Sequence, residues 1–229
     1  MMAFMTWQIA ARGLRGLALA ALILAMPALA VAEIGGDETA REFDPAQQEA
    51  VRIVNTYLNS FIHLEGDFTQ VAPDSQVSEG RFFLRRPGRV RFDYTKPDRL
   101  LVIADGFWIG VVDRKLRTLD RYPIISTPYW ALLKDEVDLR TDARILSVER
   151  DAGLILVAID DPSGQAAGSL TLIFEEVDDP TGHVGDSALR LSQWLVTDAQ
   201  GLTTSVAVKN LVEGRQARNN MFTLRQYER

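Results

Sequence analysis

The residues that could perform acid–base or metal chemistry are few and scattered along this sequence. Its two histidines, His63 and His183, lack the spacing of a metal-binding pair. Asp160 and Asp161 are adjacent at a predicted strand end, where neighbouring side chains point to opposite faces. Such acidic pairs are better explained as solvated turn residues than as a catalytic dyad. We therefore predict no enzyme activity, no catalytic residue, no metal ligand and no cofactor.

Sequence motifs for nucleophilic and nucleotide chemistry are also missing. The chain has no Gly-x-Ser-x-Gly motif and no glycine-rich phosphate loop, which disfavours a hydrolase or a nucleotide-binding protein. It contains no cysteine, which excludes disulfides and thiolate metal sites. The formal net charge of −6 argues against nucleic acid or anionic lipid as the main partner, while leaving room for local basic patches.

The amino terminus has the charge order and length of a secretory signal peptide. Two arginines precede an apolar run, residues 17–26, and small residues follow up to Ala32. We predict that residues 1–32 are a cleaved signal peptide and that residues 33–43 are a flexible leader. An uncleaved membrane anchor is the alternative, but the run is shorter than the roughly 20 apolar residues a spanning helix needs. Without a cysteine to carry a lipid, we expect a soluble periplasmic protein.

One amphipathic helix is predicted at the start of the remaining chain. Asp44 suits the N-cap, Pro45 the first helical position, and Gln47 completes a capping box. The apolar stripe of this helix is spaced by three or four residues: Val51, Val54, Tyr57, Leu58 and Phe61. No linker or repeat divides the sequence after it, so residues 44–229 are predicted to form a single domain.

Period-two alternation dominates from residue 64 onward and predicts a mainly β protein. One apolar set alternates with charged residues: Val90, Phe92 and Tyr94. A second apolar set is predicted to share one face of a later strand: Leu189, Leu191 and Leu195. Trp194, in the same strand, is interpreted as an ordinary core residue. About ten strands without interleaved helices indicate a meandering antiparallel sheet that must curl to bury its apolar face.

Two segments depart from the strand pattern. Residues 126–134 favour a short second helix, capped by Thr127 and opened by Pro128, which would cover the open face of the sheet with the first helix. Trp130 on this helix could belong either to the core or to a pocket. Residues 178–186 form a long polar loop, where a solvated hairpin connection is favoured over a calcium site.

The turn between two aromatic strands decides which side chains share a face. A three-residue turn, Pro87-Gly88-Arg89, pairs residue 86 with 90, 84 with 92 and 82 with 94. A two-residue turn would instead place Phe82 and Leu84 with the charged residues. We therefore predict the longer turn, which places Arg86 on the apolar face, where a cation is costly unless its donors find partners.

Three motifs in order resemble the outer-membrane lipoprotein carrier (LolA-like) family. Residues 84–97 contain an Arg-Pro pair, an aromatic strand and a second proline; Phe68-Thr69-Gln70 precedes them, and the Asp105-Gly106 turn follows. The resemblance spans residues 44–135. It implies an incomplete, half-open antiparallel β-barrel with helical lids over an apolar cavity. It further implies a periplasmic chaperone that carries acylated lipoproteins from an inner-membrane release complex to the outer membrane, with or without an acceptor there.

The resemblance and the alternation together give a set of site residues. In the family, the arginine of the Arg-Pro motif holds the lid shut, and by motif position that residue is Arg86. We predict that the cavity is lined by Phe68, Phe82, Leu84, Val90, Phe92, Tyr94 and Ile103, and closed by Leu58, Trp130 and Leu133. Phe92 stands where the family often has tryptophan, and Gly110 where an aromatic residue is common, so the cavity is expected to differ in width.

A second hypothesis uses the same fold differently. A periplasmic regulatory module could detect stray lipids or lipoproteins instead of transporting them. Such regulators usually need a further interaction domain, for which a single predicted domain leaves little room. The carrier hypothesis, with a monomeric protein, acylated lipoproteins as cargo and no nucleic acid partner, is therefore preferred.

Overall fold

The computed structural model describes residues 43–97, 99–127, 129–164, 166–177 and 189–228. The predicted signal peptide, nearly all of the predicted leader, the role of Pro128 and the polar loop at 178–186 lie outside these residues. The contacts between Cα atoms group residues 44–229 into one compact unit.

Helix α1, Pro45–Asn59, begins as the capping signal predicts. The Gln47 backbone N–H donates to Asp44 Oδ1 at 2.8 Å, and the Asp44 N–H donates to Gln47 Oε1 at 3.0 Å. These reciprocal bonds satisfy donors that the first turn of a helix leaves free. The buried face of α1 comprises Ala50, Val51, Val54, Tyr57 and Leu58, and Phe61 is buried just beyond the helix. The predicted helix and its stripe are confirmed.

Eleven strands form a single antiparallel sheet. Their bounds are β1 His63–Val71, β2 Val77–Arg85, β3 Arg89–Lys96, β4 Leu100–Asp105, β5 Trp108–Asp113, β6 Thr118–Pro123, β7 Arg144–Asp151, β8 Leu154–Asp160, β9 Ser169–Glu176, β10 Leu189–Thr197 and β11 Thr203–Glu213. The spatial order is β6-β5-β4-β3-β2-β1-β11-β10-β9-β8-β7. Two meanders therefore meet where the first strand pairs with the last, and β6 and β7 remain edges. This unclosed sheet is consistent with the predicted half-open barrel.

The apolar side chains of one sheet face lie under α1 and under the connection from β6 to β7. Phe68 pairs with Val208 on β11 and with Gly80 on β2, and Phe82 pairs with Phe92, so these positions share that face. Tyr57 of α1 contacts the Phe174 ring of β9, which identifies the same face on the other meander. We call this the concave face and the opposite one the outer face.

The β2–β3 turn is a three-residue turn, but it begins one residue earlier than predicted. Arg85 pairs with Arg89, Leu84 with Val90 and Phe82 with Phe92. The loop is therefore Arg86-Pro87-Gly88, with Gly88 at φ +70°, and the predicted pairs of 86 with 90 and 84 with 92 are wrong by two residues. The predicted face is nevertheless correct, because a shift of two preserves the side-chain alternation. Arg86 lies in the turn and not in a strand.

A bulge in β10 overturns another assignment. Leu191 pairs with Phe174, but after the register shift Trp194 pairs with Leu172 and Leu195 with Thr171. Leu195 therefore lies on the outer face, opposite Leu191, and Trp194 occupies the concave face. One extra residue in a strand reverses the facing of every later side chain, and nothing in the local alternation marks its position.

The connection from β6 to β7, residues 124–142, is named the lid segment. It contains two 3₁₀ turns, Ile124–Ser126 and Trp130–Leu133, followed by the short helix α2, Leu139–Asp142. The predicted single helix over 126–134 is therefore wrong in extent: the backbone is extended at Thr127 and at Lys134, so that only Trp130–Leu133 forms a helical turn between them. No helix in the described part of the chain is long and apolar enough to cross a membrane. Two further 3₁₀ turns, Asn219–Phe222 and Arg225–Tyr227, follow β11.

Candidate functional site

A cluster of aromatic rings occupies the middle of the concave face. The Phe92 ring lies 5.2 Å from Phe68, 5.9 Å from Phe82 and 6.2 Å from Trp194, measured between ring centroids. Tyr94 lies 5.0 Å from Phe68. Most of these pairs meet edge to face, which aromatic quadrupoles favour. Phe68, Phe82 and Tyr94 are buried, whereas Phe92 and Trp194 keep partial exposure, so the cluster presents an accessible apolar surface.

One polar pair interrupts this apolar surface. The Tyr94 hydroxyl donates to Gln70 Oε1 at 2.8 Å, and both residues are buried. Burial raises the pKa of Tyr94 well above its ordinary value, and the neighbouring Tyr129 adds to the rise. The phenol therefore stays neutral at physiological pH and acts as a hydrogen-bonding group within the concave face.

The lid segment packs against the β2–β5 side of the concave face. Its contact is a cluster of buried Ala104, Ile124 and Leu133, against which partly buried side chains pack: Leu84, Val90, Ile109, Tyr129 and Trp130. Burial raises the pKa of Tyr129, and the neighbouring Trp194, whose buried indole nitrogen has no hydrogen-bond partner among the described residues, opposes this rise. The lid segment thus reaches the aromatic cluster through Tyr129.

Helix α1 covers the other side of the concave face and holds the end of the lid segment. The Leu191 N–H donates to the Tyr57 hydroxyl at 3.2 Å, and burial raises the pKa of Tyr57 to about 12. Asn59 exchanges two hydrogen bonds with the backbone of Val137, at 2.7 and 2.9 Å. Asn55 donates to Asp138 Oδ1 at 2.7 Å. The helix and the lid segment therefore form one continuous cover.

Arg86 joins both parts of this cover to the sheet. Its Nη1 donates to the carbonyls of Leu58 and, at 3.5 Å, of Phe61, while its Nε donates to the Leu132 carbonyl at 3.2 Å. The guanidinium also lies 4.9 Å above the Phe61 ring, where a cation is attracted by the π face. The residue is only 4% exposed. Burial lowers the pKa of Arg86 to about 10, so the group remains a cation at neutral pH.

Backbone hydrogen bonds reinforce the same junction. The Arg86 N–H donates to the Ile62 carbonyl at 2.9 Å, and the Gly88 N–H donates to the Leu133 carbonyl at 2.6 Å. The turn 86–88 therefore contacts the end of α1 on one side and the lid segment on the other. We refer to this set of contacts around Arg86 as the latch.

The structure brings most of the predicted site residues together. Phe68, Phe82, Phe92 and Tyr94 form the aromatic cluster, whereas Leu84, Val90, Trp130 and Leu133 meet at the lid contact. Leu58 is buried on the inner face of α1, and its carbonyl accepts a hydrogen bond from Arg86.

Ile103 is placed on the wrong face by the prediction. It pairs with Arg91 and not with Phe92, and it packs on the outer face with Leu101, Val112 and Leu224. Strand β4 is buried on both faces, because the segment after β11 covers its outer side. The sequence of β4 therefore does not alternate between apolar and polar residues, and it does not indicate which side chains lie on which face of the sheet.

Gly110 also belongs to the outer face, where it pairs with Ile103. A Cβ at this position would lie 2.3 Å from Leu224 Cδ2. The glycine admits Leu224 and has no bearing on the width of the cavity, contrary to our expectation.

Three functional residues of this site escaped sequence reasoning. Trp194 joins the aromatic cluster, Tyr129 of the lid segment lies beside it, and Phe61 supplies the ring beneath Arg86. The sequence predicts Phe61 as part of the apolar stripe of the first helix. Its contact with Arg86, more than 20 residues away, cannot be predicted from the neighbouring sequence. The bulge in β10 conceals Trp194.

Known proteins resemble this chain in sequence. The family model described as "Outer membrane lipoprotein carrier protein LolA" matches residues 59–225. An outer-membrane lipoprotein carrier protein of Methylococcus capsulatus is 33% identical over 138 residues, covering 56% of this chain and 66% of that protein. One of Leptothrix cholodnii, with the same name, is 30% identical over 118 residues, covering 48% and 55%. The alignments thus span less than two thirds of these relatives.

A solved structure shares the fold. A domain from Vibrio parahaemolyticus, described as an outer membrane lipoprotein-sorting protein domain, superposes with a TM-score of 0.51. The match covers 80% of this chain and 100% of that one at 10% sequence identity, which bears on the fold alone. Since the family model covers more than half of the sequence, the chain belongs to the outer membrane lipoprotein carrier protein LolA family.

Proposed function

We propose that this protein is a periplasmic chaperone that shelters the acyl chains of lipoproteins on its concave face and carries them from the inner to the outer membrane. The observation that carries the proposal is an aromatic, partly accessible concave face whose two covering parts, α1 and the lid segment, both accept hydrogen bonds from one buried arginine. Each acyl CH₂ group that leaves water contributes about 0.8 kcal/mol, so a lipid anchor crosses an aqueous space only when its chains are sheltered.

The described side chains suit acyl chains better than a polar ligand. The wall is built from phenyl rings, an indole and aliphatic side chains, and its polar pair, Tyr94 and Gln70, is satisfied internally. Hydrocarbon chains need only apolar contact and no directional partner. The wall therefore favours a ligand of flexible shape over one recognised by charge.

The latch supports reversible loading. Three backbone carbonyls from α1, its following loop and the lid segment accept hydrogen bonds from Arg86. Hydrogen bonds to charged groups are worth about 1.5–3 kcal/mol each, which can balance the burial of part of an acyl chain. A cavity that is closed by such hydrogen bonds can bind cargo and also release it. The partners we propose are acylated lipoproteins, an inner-membrane release complex and, where one exists, an outer-membrane acceptor.

Site-specific photo-crosslinking tests the cargo. A photoreactive side chain at Phe92, on the concave face, is expected to capture acylated lipoproteins in intact cells. The same side chain at the exposed Arg81, on the outer face of the adjacent strand, serves as the control and should capture none. Equal capture at both positions would contradict a cargo site on the concave face.

Depletion of the protein separates a carrier from a lipoprotein sensor of the same fold. Loss of a carrier leaves pulse-labelled lipoproteins in the inner membrane, which fractionation detects. Loss of a sensor leaves their distribution unchanged, even when crosslinking at Phe92 succeeds. The second result would reject transport while retaining lipid binding.

A further inference from the structure

Several turns of the β1–β6 meander lie at one end of the molecule. Antiparallel strands that alternate in direction bring together the loop before β1, the β2–β3 turn 86–88, the β4–β5 turn 106–107 and the start of the lid segment at 124–126. The β5–β6 turn, 114–117, lies at the opposite end for the same reason. We call the first group of turns the rim.

Direct contacts make the rim continuous. The Arg86 N–H donates to the Ile62 carbonyl at 2.9 Å, and the Ile124 N–H donates to the Phe107 carbonyl at 3.0 Å. Between them, a Cβ on Gly88 would lie 2.8 Å from Gly106 Cα, so these two turns touch. The rim thus includes the latch and extends on both sides of it.

Large apolar side chains project from the rim into solvent. Phe107 is 79% exposed, Ile62 60%, Ile125 52% and Trp108 44%. Single exposed apolar residues are ordinary, but several on adjoining turns mark a surface that contacts an apolar partner. The backbones of Phe107 and Trp108 are held in place, since Asp105 Oδ1 accepts hydrogen bonds from the N–H groups of both residues.

Basic side chains lie beside these apolar tips. Arg85 and Arg89 face each other directly across the β2–β3 hairpin, an arrangement of like charges that costs stability in a sheet. Arg85 donates to the amide oxygen of Asn219. Arg89 stands opposite Asp105 of β4, but its side chain forms no ion pair with a residue of the described part of the chain. The acids near the rim include Asp105, whose Oδ1 caps the turn, and Asp135 of the lid segment, whose charge acts on Arg86.

We propose that the rim is the surface by which the protein docks on a lipid bilayer. Phe107, Ile62 and Ile125 enter the boundary between headgroups and acyl chains, and Arg89 contacts a lipid phosphate. Apolar tips with adjacent cations are the elements of interfacial binding. The net charge of −6 opposes attraction of the whole chain to an anionic surface, so apolar insertion supplies most of the binding.

This inference rests on the proposed function, which it deepens by assigning the place of cargo exchange. Acyl chains enter or leave a bilayer at the same boundary into which the tips insert. Because the rim contains Arg86, docking brings the latch against the lipid surface. Cargo can then pass between the membrane and the concave face without crossing open water.

Vesicle flotation with purified, exported, lipid-free protein tests the docking. Vesicles of phosphatidylethanolamine and phosphatidylglycerol are expected to carry the protein, and Phe107→Ser with Ile125→Ser should weaken binding about tenfold. Leu116→Ser is the matched control, because Leu116 is 62% exposed at the opposite end. Brominated lipids should quench Trp108 fluorescence, measured as the difference from Trp108→Phe.

A charge series completes the test. Arg89→Gln should weaken flotation about fivefold, in keeping with about 1 kcal/mol for each basic side chain near an anionic surface. Lys115→Gln, in the exposed turn at the opposite end, should change nothing. A weaker effect of Arg89→Gln with purely zwitterionic vesicles would identify the headgroup charge as its source.

Three outcomes would overturn the inference: no flotation of the wild-type protein, equal losses for the Phe107/Ile125 and Leu116 variants, or binding only to vesicles that contain a membrane protein. Each leaves crosslinking at Phe92 unaffected, so failure of docking is distinguishable from failure of the carrier proposal. Conversely, flotation without cargo capture at Phe92 would support docking and reject the carrier.

Discussion

The two faces of strands β3–β5 are both covered, but by different means. On the outer face, the segment after β11 inserts the buried Leu224 into the space that Gly110 leaves, and Arg91 Nη1 donates to the Met221 carbonyl at 2.9 Å. An ion pair between Arg121 and Glu228 adds to this contact. On the concave face, the lid segment is held by hydrogen bonds around Arg86, by the buried Ile124 and Leu133, and by the partly buried side chains that pack around them.

The difference separates a permanent closure from a reversible one. A leucine that fills a notch shaped for it makes many close contacts, all of which are lost together when it leaves. Hydrogen bonds from one arginine can be exchanged for water, and partly buried apolar groups can be covered by a ligand instead. We therefore expect the outer contact to determine stability and the concave contact to determine loading.

Leu224→Ala should have the largest effect on stability. Removing this side chain leaves a cavity above Gly110, and comparable buried leucine truncations cost about 2–5 kcal/mol in the free energy of unfolding. Chemical denaturation measures the change. Cargo capture at Phe92 by the protein that remains folded should be normal.

Leu202→Ala is the control for this variant, since Leu202 is 40% exposed in the β10–β11 turn and should lose little stability. Equal destabilisation by both substitutions would show that the C-terminal segment does not hold the outer face.

Arg86→Leu should change release much more than stability. The substitution removes the desolvation cost of a buried cation, which offsets the hydrogen bonds that are lost, so the free energy of unfolding should stay within about 1 kcal/mol or rise. The closed cover loses charge-assisted hydrogen bonds worth about 1.5–3 kcal/mol each, and leucine offers acyl chains a better surface. We expect normal loading with lipoprotein but release to membranes slowed about tenfold or more, measured separately on purified protein.

Arg81→Leu provides the comparison, because Arg81 is an exposed arginine of the outer face. Its ion pairs with Glu65 and Asp67 are long, at 3.8 and 3.7 Å, and its guanidinium lies 5.5 Å from the Phe83 ring. Normal release by a stable Arg86→Leu protein would refute the latch. An unstable protein with reduced loading would instead assign Arg86 a structural role.

Tyr94→Phe tests the polar pair within the cavity wall. Loss of the hydrogen bond to Gln70 should lower the free energy of unfolding by about 1 kcal/mol, because the amide oxygen stays buried without that donor. Combining it with Gln70→Leu should recover part of the loss, since neither polar group then remains. A double variant less stable than the sum of the two single changes would contradict this account.

Acid titration probes the smallest effect, an ion-pair network on the outer face. Burial raises the pKa of Asp93, but the hydrogen bonds and charges of Arg91 and Arg114 lower it by a larger amount. The pKa of Asp93 therefore lies below its ordinary value. A carboxylate with a lowered folded-state pKa stabilises the protein above its unfolded pKa, and this contribution disappears as the pH falls through the folded value.

The wild-type protein should therefore lose stability more steeply than Asp93→Asn below about pH 4. Urea denaturation of both proteins at a series of acidic pH values measures the slopes. Parallel curves would indicate that the network contributes nothing to the outer closure.

Local signals predicted much of this fold because their physical causes are local. The capping box of Asp44 and Gln47 acts within one helical turn, and the alternation of Val90, Phe92 and Tyr94 reflects one strand with one apolar face. The predicted order of motifs likewise identified the family that the comparison supports. The predictions were wrong where the local pattern does not determine the face of the sheet on which a side chain lies.

The facing of Ile103 and Leu195 depended on remote parts of the chain or on a bulge. Strand β4 is buried on both sides, and its outer cover begins more than 100 residues later, at the end of β11. In β10 a single inserted residue reverses the facing of Leu195. Neither the remote cover of β4 nor the bulge in β10 can be recognised from the amino-acid composition of the strand.

The sequence by itself determined an antiparallel β domain with one capped helix, an apolar face and an arginine that needs partners. Only the tertiary structure decided which atoms those partners are. Arg86 reaches carbonyls 28 and 46 positions away in the chain, at Leu58 and Leu132. Every residue has a backbone carbonyl, so no residue type marks these acceptors, and only the packing of α1 and the lid segment over the sheet selects them.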